Sequence, residues 1–225
     1  MTLQGLLVQA DVIGTLKRAQ EITGGPIGKT GKMPCSSYNL AAKDCITGTR
    51  LQSVEGSVCH DCYAMGGNYQ YPSVKLAMER HMAAIEHELW PEAMAYQIVR
   101  KSPDYFRMHD SGDLQGIWHL RQIVRLAELV PDCTIWMPTR ETAMLAQAER
   151  EGVVIPPNLI IRRSMHMVGD MPSEKGIKAG RLFSTVSEGH VEGVWNCPSL
   201  QQGNTCGDCR KCWDPNTPII NYTAH

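Results

Sequence analysis

The stretch YFRMHDSGDLQGIWHLRQIVRLAELVPDCTIWMPTRE, residues 105–141, decides the fold. It opens on Tyr105-Phe106-Arg107-Met108, a run with the length and aromatic content of a strand. That run stops at the polar string His109-Asp110-Ser111-Gly112-Asp113. From Leu114 to Leu129 apolar residues return at helical spacing, among them Ile117, Leu120, Val124 and Leu129. Thr134-Ile135-Trp136-Met137 then reads as a second strand.

The same alternation continues outward. Arg140 to Arg150 predicts a helix with Gly152 as its stop, Leu159 to Arg162 a third strand, and Leu182 to Val186 a fourth. A strand–helix–strand rhythm calls for a parallel sheet with crossover helices. Four or five clear strands are too few for a closed eight-stranded barrel. The expectation is an α/β fold built as an open or partial (β/α) barrel. Toward the N-terminus, Val74, Ala77, Met78, Met82, Ile85 and Leu89 mark one helix face, and Pro91 suits the first turn of a second helix reaching about Arg100. Residues 26–70 show no sustained period and read as a loop organised by side-chain ligands; residues 5–21 carry a weak helical pattern. The chain is expected to form one domain over 1–225. Its parts are a helical segment (1–30), a cysteine-rich loop (31–70), a β/α core (71–190) and a cysteine-rich segment (191–225).

Composition narrows the function classes. The 225 residues are 43% hydrophobic and 20% charged, enough for one full core. A net charge of −1 provides no global basic field for a nucleic-acid backbone. Two Phe beside 12 Met suggest Met as core filler. There is no basic leader and no apolar stretch approaching the ~18 residues of a membrane span, so a cytoplasmic, non-membrane protein is expected.

In a reducing compartment, nine cysteines at clustered spacings point to metal and away from disulfides. The C-terminal set is Cys197-Pro198 followed by Cys206, Cys209 and Cys212 as C-x2-C-x2-C. Two three-residue steps bring three thiolates around one compact centre, as in cubane iron–sulfur sites. A four-cysteine zinc site is the competing reading, although zinc more often uses two separated C-x2-C pairs. Cys35, Cys45, Cys59 and Cys62 form a second candidate metal set, in which Cys35 or Cys45 could instead be core residues or ligands of the other centre. Cys133, within the apolar run CTIWM, reads as a buried core thiol.

Parallel β/α sheets bind ligands at the carboxyl ends of their strands. The pocket candidates there are His109, Asp110 and Asp113, then Arg140, then Arg163 and His166. For Asp113 the simpler role is capping the following helix.

The motifs GSVCHDCYAMGGNY (56–69), FRMHDSGDL (106–114), WMPTRE (136–141) and CPSLQQGNTCGDCRKCWDP (197–215) resemble the phage family named after gene product eighty-eight, from about Gly31 to His225. The stretch Cys45…Cys59-x2-Cys62-Tyr63-Ala64 also resembles the cluster loop of radical-SAM-like phage proteins. That resemblance implies a radical-SAM-like partial barrel with cysteine-rich loops at both ends and one or two 4Fe–4S clusters. S-adenosylmethionine is a candidate ligand, yet the usual C-x3-C-x2-C is broken because Glu55 stands four before Cys59. Three readings follow: a radical-SAM-like enzyme or degenerate relative, a non-enzymatic redox or structural iron–sulfur protein, and a zinc-stapled binding module. The partner would be a small molecule or a host protein in the host cytoplasm.

Overall fold

Seven neighbouring parallel strands carry the fold. The computed structural model describes residues 12–224. The strands are β1 (Gly28–Lys29), β2 (Ser36–Tyr38), β3 (Tyr105–Met108), β4 (Thr134–Thr139), β5 (Leu159–Ser164), β6 (Leu182–Ser187), β7 (Trp195–Asn196) and β8 (Ile219–Thr223). Their order in one open sheet is β1-β2-β3-β4-β5-β6-β8-β7, with only the β1–β2 pair antiparallel.

The helices are α1 (Leu16–Ile22), α2 (Ile46–Leu51), α3 (Pro72–Ala84), α4 (Trp90–Lys101), α5 (Ile117–Leu129), α6 (Thr142–Arg150) and α7 (Glu174–Lys178). Pro72 and Pro91 sit in the first turns of α3 and α4, where a missing N–H costs nothing. Glu92 opens α4 and Arg100 and Lys101 close it, complementing the helix dipole.

Strand alternation sorts the sheet into two faces. Phe106, Met108, Ile135, Met137, Leu159 and Ile161 meet Trp90, Met94, Ile98, Leu120 and Ile123 of α4 and α5 in the main core. Tyr105, Arg107, Trp136 and Arg162 belong to the opposite, inner face, on which the short 3-10 helix Lys211–Trp213 packs. There Met33, Cys35 and Trp213 pack with Trp136 in a second, smaller cluster. Alternate residues thus serve two different cores, which explains an arginine inside an otherwise apolar strand.

Several expectations need correction. Helix α5 starts at Ile117, because Leu114 is fully buried below the preceding turn. Residues 26–70 contain β1, β2 and α2 as well as loop, and the cysteine-rich segment 191–225 contains β7 and β8. These strands are two to five residues long, too short to register as periodic runs. Residues 5–11 of the weak N-terminal helical pattern lie outside the described residues. Cys133 is buried as expected, its thiol facing the Ser102 carbonyl at 3.4 Å. Among the described residues, no helix is long and apolar enough to cross a membrane.

Candidate metal centres on the inner side of the sheet

The loop after β2 is fastened to the carboxyl ends of three neighbouring strands. At the end of β4, buried Glu141 accepts from the Thr47 backbone N–H at 2.7 Å and from its hydroxyl at 2.8 Å. This satisfies a first-turn donor of α2, whose N-cap is Cys45. Beyond β5, the Val58 N–H donates to the His166 carbonyl and the Val168 N–H to the Gly56 carbonyl, both at 2.9 Å. At the end of β3, the Tyr63 hydroxyl donates to the Asp110 carbonyl and the Tyr69 hydroxyl to Asp110 Oδ2.

This fastening brings Cys45, Cys59 and Cys62 together. A β-carbon on Gly48 would stand 2.8 Å from Cys45 Cβ and 3.6 Å from the sulfurs of both Cys45 and Cys59. The two sulfurs therefore lie within about 7 Å of each other, and the glycine keeps the space beside them open. The Cys45 thiol feels the charges of Cys59 and Cys62, and the Cys59 thiol that of Cys62. Arg140, at the end of β4, faces Cys45 and Cys59, and its buried Nε has no hydrogen-bond partner. Burial pushes the Cys45 and Cys59 thiols upward, so a free thiolate is disfavoured there unless a cation compensates it.

The remaining rim candidates divide by face. Asp113 accepts from the Leu114 N–H at 2.7 Å, the Thr139 hydroxyl at 2.5 Å and the Arg140 N–H at 2.8 Å. It bolts the β3 loop to the end of β4, while the N-cap of α5 is Gly116, so the expected helix cap is not formed. Burial raises the Asp113 carboxyl to about 6 against the lowering effect of these donors. Asp110 pairs with Arg107 at 2.9 Å. His166 Nε2 contacts the Arg140 carbonyl at 3.1 Å and so backs the site indirectly. His109 turns to the helix side, 5.4 Å from the His119 ring, with both ring nitrogens unpartnered and burial lowering its basicity. Arg163 also leaves the rim. It lies within β5 on the helix side and pairs with Glu149 of α6, because the strand runs on to Ser164.

The C-terminal cysteines occupy the inner face. Fully buried Arg162 donates to four backbone carbonyls, Cys212 at 3.0 Å, Thr217 at 2.7 Å, Lys211 at 2.9 Å and Asp214 at 2.8 Å. Trp213 packs edge-on against Trp136 and Tyr105 and donates from its indole to the Phe106 carbonyl at 2.9 Å. The Cys206 N–H donates to the Lys32 carbonyl at 2.9 Å, and Cys212 Sγ lies 3.1 Å from the Tyr222 hydroxyl. Cys197 interacts electrostatically with both Cys206 and Cys212, and Cys209 with Cys206. Cys35 joins this group. It packs with Cys206 and Cys212 below Trp213, and burial raises its thiol to about 12. The four-member N-terminal set is thus divided, with three thiols at the rim and Cys35 on the inner face.

Arg107 stands against the inner thiol group, and Asp110 ties it to the loop that carries the rim thiols. Its guanidinium lies 4.4 Å from the Trp136 ring centroid, 3.3 Å from Met33 Sδ and 2.9 Å from Asp110 Oδ1. Arg107, Glu141 and Gly48 were not singled out as site residues from the sequence. The available signal for Arg107 was a lone arginine inside an apolar strand run, YFRM.

The donor set fits iron–sulfur clusters in kind, since buried, clustered soft thiols with a cation beside them suit thiolate-held iron. Cys45, Cys59 and Cys62 would hold one centre, and Cys197, Cys206, Cys209 and Cys212 the other, with Cys35 adjacent. Among the described residues, no three His, Cys, Asp or Glu side chains stand as a ready ligand sphere for one ion. A family model described as Gene product 88 matches residues 14–215. The match begins ahead of Gly31, where the recognisable motifs start. No curated protein and no solved structure matches the chain.

Proposed function

The chain belongs to the Gene product 88 family of phage proteins, and from that premise we propose that it is an iron–sulfur protein with two cysteine-held centres on a radical-SAM-like partial barrel. The observation that carries the reading is the convergence of three thiols, Cys45, Cys59 and Cys62, beside Gly48 and Arg140 at the carboxyl ends of parallel strands. Ligands of β/α sheets bind at that edge. The loop bearing these cysteines leaves the first parallel strand, β2, and precedes α3. Cys45, on the N-cap of α2, brings the third thiol that the interrupted C-x3-C spacing lacks. With Cys35 on the inner face, the rim set has three cysteines, which leaves one corner of a cubane without a cysteine ligand.

When bound, such a cluster supplies a redox-active iron with an open coordination position. The chain's own residues set its surroundings. Arg140 presents a positive charge to an anionic centre or ligand, and Asp113 and Glu141 hold the strand end that bears it. The C-terminal centre, closed by four cysteines and pinned by Arg162, serves as an auxiliary or structural site.

The test is electron paramagnetic resonance of anaerobically reconstituted protein, with and without S-adenosylmethionine. The expected result is loss of one signal in Cys45→Ala, Cys59→Ala and Cys62→Ala, its retention in Cys35→Ala, and a shift of that signal on adding the ligand. Full signal in all three rim variants would refute the site. An unshifted signal would leave a redox or structural iron–sulfur protein. Zinc without sulfide would establish the zinc-stapled module instead.

A further inference from the structure

Arg107 stands against the inner thiol group and is tied through Asp110 to the loop that carries the rim thiols. On one side its guanidinium lies against Met33 and Trp136, and these pack with Cys35, Cys206 and Cys212 in the inner-face cluster. On the other side it pairs with Asp110, whose carbonyl takes the hydroxyl of Tyr63, the residue directly after Cys62. Asp110 Oδ2 also accepts from Tyr69, so the carboxylate is held from both directions. The pair is largely shielded, with side-chain exposures of 15% and 11%. Burial opposes the charge on Arg107, and the neighbouring Tyr63, Asp110, Tyr222 and Cys212 more than offset it, so the guanidinium stays protonated. Arg140 acts on Cys45 and Cys59, and Arg162 on Cys212.

We propose that Arg107 and Asp110 form an electrostatic bridge that couples the two centres, so that the charge on this pair sets the reduction potential of both. The inference rests on the two-centre reading above. Its physics is that adding an electron to either thiolate-held centre adds negative charge near a buried, weakly screened guanidinium. Removing that guanidinium makes reduction harder at both centres, and removing the Asp110 charge makes it easier at both. Arg107 acts here as a positioning and tuning residue and does not hold a cluster itself.

The experiment is a potentiometric titration of the loaded chain, followed by electron paramagnetic resonance, in wild type, Arg107→Gln, Arg107→Lys, Asp110→Asn, Arg140→Gln and Arg121→Gln. In Arg107→Gln both potentials should fall by about 59 mV or more, a tenfold change in each one-electron equilibrium. Asp110→Asn should raise both, and Arg107→Lys should restore most of the wild-type values. Arg140→Gln should move the rim centre alone. Arg121→Gln, on an exposed pair with Glu151, should move neither. If Arg107→Gln loads poorly, Asp110→Asn still decides, because its sign is opposite. Wild-type protein without sulfide would overturn the two-centre reading and this inference together. A fully loaded chain in which Arg107→Gln or Asp110→Asn moves one potential only, or neither, would overturn the coupling alone.

Discussion

Replacing Arg162 by Met tests whether the C-terminal cysteine segment is held by one buried guanidinium. Four backbone carbonyls of residues 211–217 converge on it at 2.7–3.0 Å. Hydrogen bonds from a charged donor contribute about 1.5–3 kcal/mol each. Against this stands the cost of burying the guanidinium, several kcal/mol per ion. No carboxylate pairs with Arg162 among the described residues, and burial lowers its basicity, so that cost is not offset by an ion pair. The net loss on substitution is then on the order of 3–5 kcal/mol, with carbonyls left unpaired under Trp213. At about 2–4 °C per kcal/mol for a chain of this size, the thermal midpoint should fall by about 10 °C. Thermal denaturation of the metal-free chain reads this directly, and iron analysis of the loaded chain should show the C-terminal centre lost and the rim centre kept. Arg162→Lys has one charge but at most three donors, so a smaller fall is expected. An Arg162→Met chain with an unchanged midpoint and full iron would show that the clamp does not hold this segment.

Three further outcomes follow from the same contacts. Gly48→Ala places a β-carbon 2.8 Å from Cys45 Cβ; overpacking of about 1–3 kcal/mol should outweigh the ~1 kcal/mol gain in helix propensity, and iron loading at the rim should fall, as metal analysis would show. The Asp113 carboxyl, raised from 3.8 to about 6, binds a proton in the folded chain that the unfolded chain has released. Its contribution is therefore present below about pH 4 and lost as pH rises through 6, on the order of 3 kcal/mol. Denaturant titrations from pH 4 to 7 should show that slope in wild type and not in Asp113→Asn. Cys35→Ala should alter the spectrum of the C-terminal centre and leave the rim centre unchanged, since Cys35 packs with Cys206 and Cys212.

The parallel layer was legible because its strands and helices carry full periods. Tyr105–Met108 and Thr134–Met137 appear as strands where the apolar runs place them, and β3 to β6 are parallel. What periodicity could not reveal was β2 and β8. The three residues of β2 include two serines, and both strands adjoin cysteine-bearing loops without a sustained period. The partition of the cysteines was likewise hidden. Cys35 precedes Cys45 by ten positions, yet β2 runs between them and carries the chain from the inner face to the rim. Spacing reports proximity only within a turn, and Cys59-x2-Cys62 is such a case. The rim candidates show the same limit. Arg163 stands near a strand end, but side-chain alternation turns it to the helix side, and His109, one residue beyond β3, packs on the helix side against His119 instead of on the rim. Arg107 and Arg162 point inward by that same alternation and become the pins of the inner face.

The central claim, two iron–sulfur centres held by separate thiol groups, is tested most directly by counting iron, acid-labile sulfide and zinc per chain in anaerobically reconstituted protein. Two cubane centres require about eight iron and eight sulfide per chain, with Cys45→Ala and Cys212→Ala each losing about half. Zinc at one or two ions per chain with no sulfide, or full iron and sulfide in both variants, would contradict it.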